Sequence, residues 1–120
     1  MQAGVGRPWG FHRDVVKIRA VLSEVVRRIV DVADPDEVIL FGSAARGRLT
    51  RHSDFDLLVV LPEVADKHAT AVAMLVALGH LAVPVDVIPT DPAEIAAHAA
   101  GGTALGAAVR EGEVVYERVA

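Results

Sequence analysis

The sequence predicts an α/β or α+β sandwich in which helices cover a small sheet, and three observations carry that prediction. Short runs rich in β-branched residues alternate with longer amphipathic stretches. A chain of 120 residues suits one hydrophobic core. Its composition is 52% hydrophobic but only 4% aromatic, so the core is built from small branched side chains. That content excludes global disorder.

Residues 1–13 are punctuated by Gly4, Gly6, Pro8 and Gly10, which predicts a flexible lead-in to a single domain over 14–120, with Trp9 and Phe11 as its anchors. From Asp14, a candidate N-cap, the apolar positions Val15, Ile18, Leu22, Val25 and Ile29 recur at helical spacing and form one stripe. Asp34-Pro35-Asp36 stops this helix. Glu37 to Phe41 then reads as a buried strand, and Asp54 to Leu61 as a second one closed by Pro62. Asp66 to Leu78 is an Ala-rich helix with Gly79 at the C-cap position. On it, Val72, Leu75 and Val76 suit either the core or a partner. A third strand runs from Val83 to Ile88, expected to be central. A helix follows from Pro92 to Ala99, with Asp91 as its cap. A helical turn through Ala104 to Arg110 and a final strand, Val114 to Arg118, complete the order.

Charge and composition narrow the function. A net charge of −4 argues against binding nucleic acid over the whole surface. The absence of cysteine excludes disulfides, thiolate metal sites and a thiol nucleophile. The longest apolar run, Ala71 to Leu78, is far short of the roughly 18 residues of a membrane span, and no signal-like segment opens the chain. The expected location is the cytoplasm. The histidines lack metal-ligand spacing, and Tyr116 reads as structural.

The chemistry concentrates between Ile39 and Leu61. A strand stops at Gly42-Ser43 and hands over to a helix-compatible turn. Gly42 lets a ligand approach the backbone, and Ser43 offers a hydroxyl beside free amides, a phosphate-binding arrangement. Arg46 follows as a candidate phosphate contact, in a basic stretch with Arg48, Arg51 and His52. In Ser53-Asp54-Phe55-Asp56-Leu57 the two aspartates are two residues apart, and strand alternation puts both on one face. Carboxylates held so close repel unless a cation lies between them, and their hard oxygens suit Mg²⁺ brought by a nucleotide triphosphate. Asp86, flanked by β-branched residues, is costly to bury unless it is paired or bound to metal. If its strand lies beside that of Asp54 and Asp56, three carboxylates meet at one place. Such a cluster fits two-metal phosphoryl or nucleotidyl transfer.

Gly42-Ser43, ten intervening residues and Asp54-x-Asp56, with Asp86 on a later strand, resemble the signature of the DNA polymerase beta-like nucleotidyltransferase superfamily. The string Gly42-Ser43-x-Ala45-Arg46-Gly47 followed by Ser53-Asp54-Phe55-Asp56-Leu57 is similar to its smallest members, the minimal nucleotidyltransferases. The resemblance implies a mixed sheet with helices on one side. It implies Gly42, Ser43, Arg46 and Ser53 at the nucleotide, and Asp54, Asp56 and Asp86 as ligands of Mg²⁺, two ions in all, with Asp86 also a base. ATP is the implied nucleotide. The implied partner is an all-helical HEPN toxin, neutralised by AMP transfer to a tyrosine. Phe55 departs from the aliphatic residue commoner at its position. The helical acceptor-binding domain of larger relatives is missing, so the acceptor is expected from outside, as a protein. Two alternatives stay open, an antitoxin that acts by binding alone and an oligomeric small-molecule nucleotidyltransferase.

Overall fold

In a computed structural model, residues 19–42, 55–79, 81, 84–98 and 102–119 are described. The predicted lead-in and the candidate cap Asp14 lie outside them. Helix α1 occupies 19–33 and buries Leu22, Val25, Val26 and Ile29, the stripe read from the sequence. It stops without glycine. Asp34 takes a left-handed φ of 47°, its amide donates to the Val30 carbonyl at 2.9 Å, and Arg118 holds the Asp34 carbonyl from the far end of the chain at 2.5 Å.

Strands β1 (Glu37–Phe41) and β2 (Phe55–Val60) pair antiparallel, with Leu40 opposite Leu57 and Phe41 opposite Asp56. Helix α2 (Lys67–Ala77) starts where the Asp66 carboxylate accepts from the Ala69 amide at 3.0 Å. Its C-cap is Leu78, whose amide reaches the Leu75 and Val76 carbonyls, so Gly79 lies one residue beyond its expected position. Through α2 the chain crosses over to β3 (Val85–Thr90), which runs parallel to β2. The strand extends past Ile88, where the sequence suggested it would end, through Pro89 to Thr90. Proline is tolerated there because β3 is an edge strand, so the missing amide costs the sheet no internal bond. Helices α3 (Pro92–His98) and α4 (Ala104–Glu111) lead to β4 (Glu113–Glu117), the opposite edge. The sheet order is β3-β2-β1-β4, with β1 antiparallel to both neighbours. Gly112 lets α4 turn onto β1. A Cβ there would approach the Leu40 carbonyl oxygen to 2.9 Å and run into the Ile39 side chain.

Strand alternation sorts the core into two parts. Val38, Leu40, Phe55, Leu57, Val59 and Val87 face α1 and α2, meeting Val25, Ile29, Met74 and Leu78. Ile39, Leu58 and Val60 face the other way and meet Ala108 of α4, with Ile95 of α3 and Leu105 beside them. Helices therefore lie on both faces, not on one. The second face is closed by two short Ala-rich helices over the end of the sheet where β2 and β3 finish. The result is an α+β fold, with a small mixed four-stranded sheet and four helices among the described residues. Among the described residues, no helix is long and apolar enough to cross a membrane.

Candidate active site

The end of the sheet opposite α3 and α4 carries the carboxylates. Asp56 is the second residue of β2 and Asp86 the second of β3, and the parallel register sets them directly side by side. Neighbouring strands lie about 4.8 Å apart, so two like charges in register repel unless a proton or a cation intervenes. Asp56 is half-buried and Asp86 is exposed. Both project on the face of Ile39 and Leu58.

Gly42 closes the group. It follows β1 with a φ of +78°, a left-handed conformation that favours glycine. A Cβ built on it would lie 2.5 Å from Asp56 Oδ2 and 3.4 Å from Asp56 Cγ. Only a residue without a side chain lets the end of β1 come this near the carboxylate. Phe41, in register with Asp56, and Ile88, two residues after Asp86, border the acidic pair with part-exposed apolar surface. The sequence reading passes over both, although period-two alternation places each on this face.

Three of the seven expected site residues, Gly42, Asp56 and Asp86, thus come together at one end of one face. Ser43, Arg46, Ser53 and Asp54 lie outside the described residues. Among the described residues no group of three metal-ligating side chains occurs, and Asp54, the expected third member, is not one of those residues. The position of Asp86 needs correction. Its strand is an edge and not central, so its carboxylate reaches water and no burial cost demands a partner. What ties Asp86 to the site is its register with Asp56. Two adjacent carboxylates supply hard oxygens, a donor set that fits a divalent cation such as Mg²⁺.

A cavity of about 540 Å³ opens elsewhere, between α1 and β4, beside Leu22, Val26, Val30 and Tyr116. It contains neither carboxylate, and the Arg19–Glu113 ion pair at 3.2 Å joins its two walls. The exposed acidic end of the sheet is therefore the better candidate for chemistry.

Comparison with known proteins bears on the family and the fold. The model of a family described as the nucleotidyltransferase domain matches residues 18–101. A crystal structure of a proposed nucleotidyltransferase from Sulfolobus solfataricus superposes with a TM-score of 0.61 at 21% identity, covering 88% of this chain and 86% of that one. At that identity the likeness establishes a shared fold. No curated protein matches the chain.

Proposed function

Because the chain belongs to the nucleotidyltransferase domain family, we propose that it transfers AMP from ATP to a hydroxyl of a partner protein, as the antitoxin of a HEPN toxin. The observation that supports this reading is the in-register pair of Asp56 and Asp86 beside the left-handed Gly42. In the proposed reaction the partner's hydroxyl oxygen bonds to the α-phosphorus, and the bond from that phosphorus to pyrophosphate breaks. The hydroxyl proton passes to Asp86, whose exposed position suits a group that meets an acceptor arriving from solution. Gly42 brings the end of β1 against the Asp56 carboxylate, and Gly42, Ser43, Ser53 and Arg46 are assigned to the nucleotide. Asp54, Asp56 and Asp86 would hold Mg²⁺, which when bound supplies charge neutralisation for the attacking and leaving oxygens. The protein is expected in the cytoplasm, where both ATP and such a partner occur.

The test is incubation of the purified protein with α-labelled ATP, Mg²⁺ and the candidate HEPN partner, comparing wild type with Asp54→Ala/Asp56→Ala. Label on the partner that disappears in the variant supports the reading. Full neutralisation of the toxin by the variant, with no labelling by wild type, replaces it with an antitoxin that acts by binding alone. Labelling of a small hydroxylated acceptor in place of protein refutes the protein substrate.

A further inference from the structure

We propose that the chain pairs with a second copy of itself through the outer face of α2 and the groove beside it. From Ala69 to Gly79 no side chain is ionisable, although the helix lies on the surface. Met74 and Leu78 fill the core on its inner side. Val72, Leu75 and Val76, at the i, i+3, i+4 spacing of one face, stand 44%, 43% and 74% exposed on the outer side. A surface helix ordinarily turns charged residues outward, so an apolar outer face marks a contact surface.

The shape and charge of this surface point to a second copy as its occupant. Beside the Val72–Val76 ridge runs a groove of about 300 Å³ between α1 and α2, lined by Val32, Ala33, Leu61, Ala69, Thr70, Ala73 and Met74. A ridge adjoining a groove on one surface is what a two-fold contact requires, because each copy then inserts its ridge into the groove of the other. The ridge alone is smaller than the roughly 800 Å² per partner of a stable interface, and reciprocal insertion extends the contact to α1 and the end of β2. Ala69 and Ala73 leave room for a close approach. The chain carries a net charge of −4, yet this patch is uncharged, so two copies meet here without bringing like charges together. Helix α2 lies across the sheet from Asp56 and Asp86, so pairing leaves both acidic sites open. The proposal does not depend on nucleotidyl transfer.

Sedimentation of the full chain between about 1 and 100 µM, a range that brackets micromolar association, tests it. The expected result is a mass that rises with concentration from 12.7 kDa to twice that value. Val76→Glu on the ridge and Ala73→Arg in the groove should each stay monomeric with an unchanged circular dichroism spectrum and Tm. Mixing the two variants should restore association, because one of the two reciprocal contacts then joins opposite charges. A wild type that is monomeric throughout overturns the proposal, including one that grows only when a different protein is added. Dimerisation that survives both substitutions overturns it as well, and failure of the mixture to associate overturns the ridge-in-groove arrangement.

Discussion

A methyl group added at residue 42 meets two separate obstacles. The backbone there has a φ of +78°, and holding an ordinary residue in the left-handed region costs about 1–2 kcal/mol. The new Cβ also falls 2.5 Å from Asp56 Oδ2. Ordinary contact requires the carboxylate to retreat by about 1 Å, and a misplacement of that size in a catalytic group costs about 100-fold in rate. The oxygen sits at the end of a rotatable side chain, so it moves and the backbone does not. The two penalties should therefore appear in different measurements. In urea unfolding, Gly42→Ala should lower the midpoint by about 1 M, given a slope near 1.5 kcal/mol/M. The same substitution in an Asp56→Ala background should cost the same stability within about 0.5 kcal/mol, because the carboxylate contributes little to the folding penalty. In nucleotidyl transfer, Gly42→Ala should lose about two orders of magnitude. An unchanged urea midpoint would refute the strained backbone at Gly42. A native transfer rate with the expected loss of stability would refute the role given to the Asp56 carboxylate.

Two further outcomes follow from the acidic pairs. Asp86→Asn removes one of two like charges in register at an exposed position, so urea unfolding should find stability unchanged or up by a few tenths of a kcal/mol while transfer falls at least tenfold. At the other end of β1, Glu37 stands opposite Glu117, and burial together with that neighbouring charge raises its carboxyl above the usual range. A raised folded value means that the contribution of Glu37 to stability is complete below its unfolded value of about 4.3 and is lost as pH rises through the folded one. Glu37→Gln should thus gain up to about 0.5 kcal/mol over wild type at pH 7, with no gain at pH 4, and thermal melts across that interval check it.

The elements that could be read from the sequence are those whose pattern is local. The run Glu37 to Phe41 is bounded by Pro35 and Gly42, and it is a strand over those residues. The stripe of α1 and the Asp91 cap of α3 were equally legible, because side-chain spacing and cap chemistry act within a few residues. Strand order is not local. Asp86 looked central because β-branched residues flank it, yet β3 is an edge whose exposed side tolerates both Asp86 and Pro89. The cover over Ile39, Leu58 and Val60 was hidden for a similar reason. Helices α3 and α4 are short and contribute few large side chains, and only their return path to β4 places them on that face. Of the site, the spacing of Gly42 and Asp56 was visible from the chain alone, whereas the side-by-side setting of Asp56 and Asp86 is a product of register.

Asp91 closes the braced end of the molecule. One of its oxygens accepts from the Glu94 amide at 2.9 Å and starts α3, while the other accepts from the Val64 amide at 3.1 Å in the segment leading to α2. Lys67 reaches over to Glu94 at 2.9 Å, and the buried Thr90 hydroxyl donates to the same glutamate. These bonds clasp the helices of the two opposite faces around the finish of β2 and β3, where the hydrogen bonds of Asp91 hold its own carboxyl below the usual range. The clasp and the carboxylates are therefore segregated along the strands, one at each pole. Substitutions at the acidic pole should leave the bonds of the clasp in place.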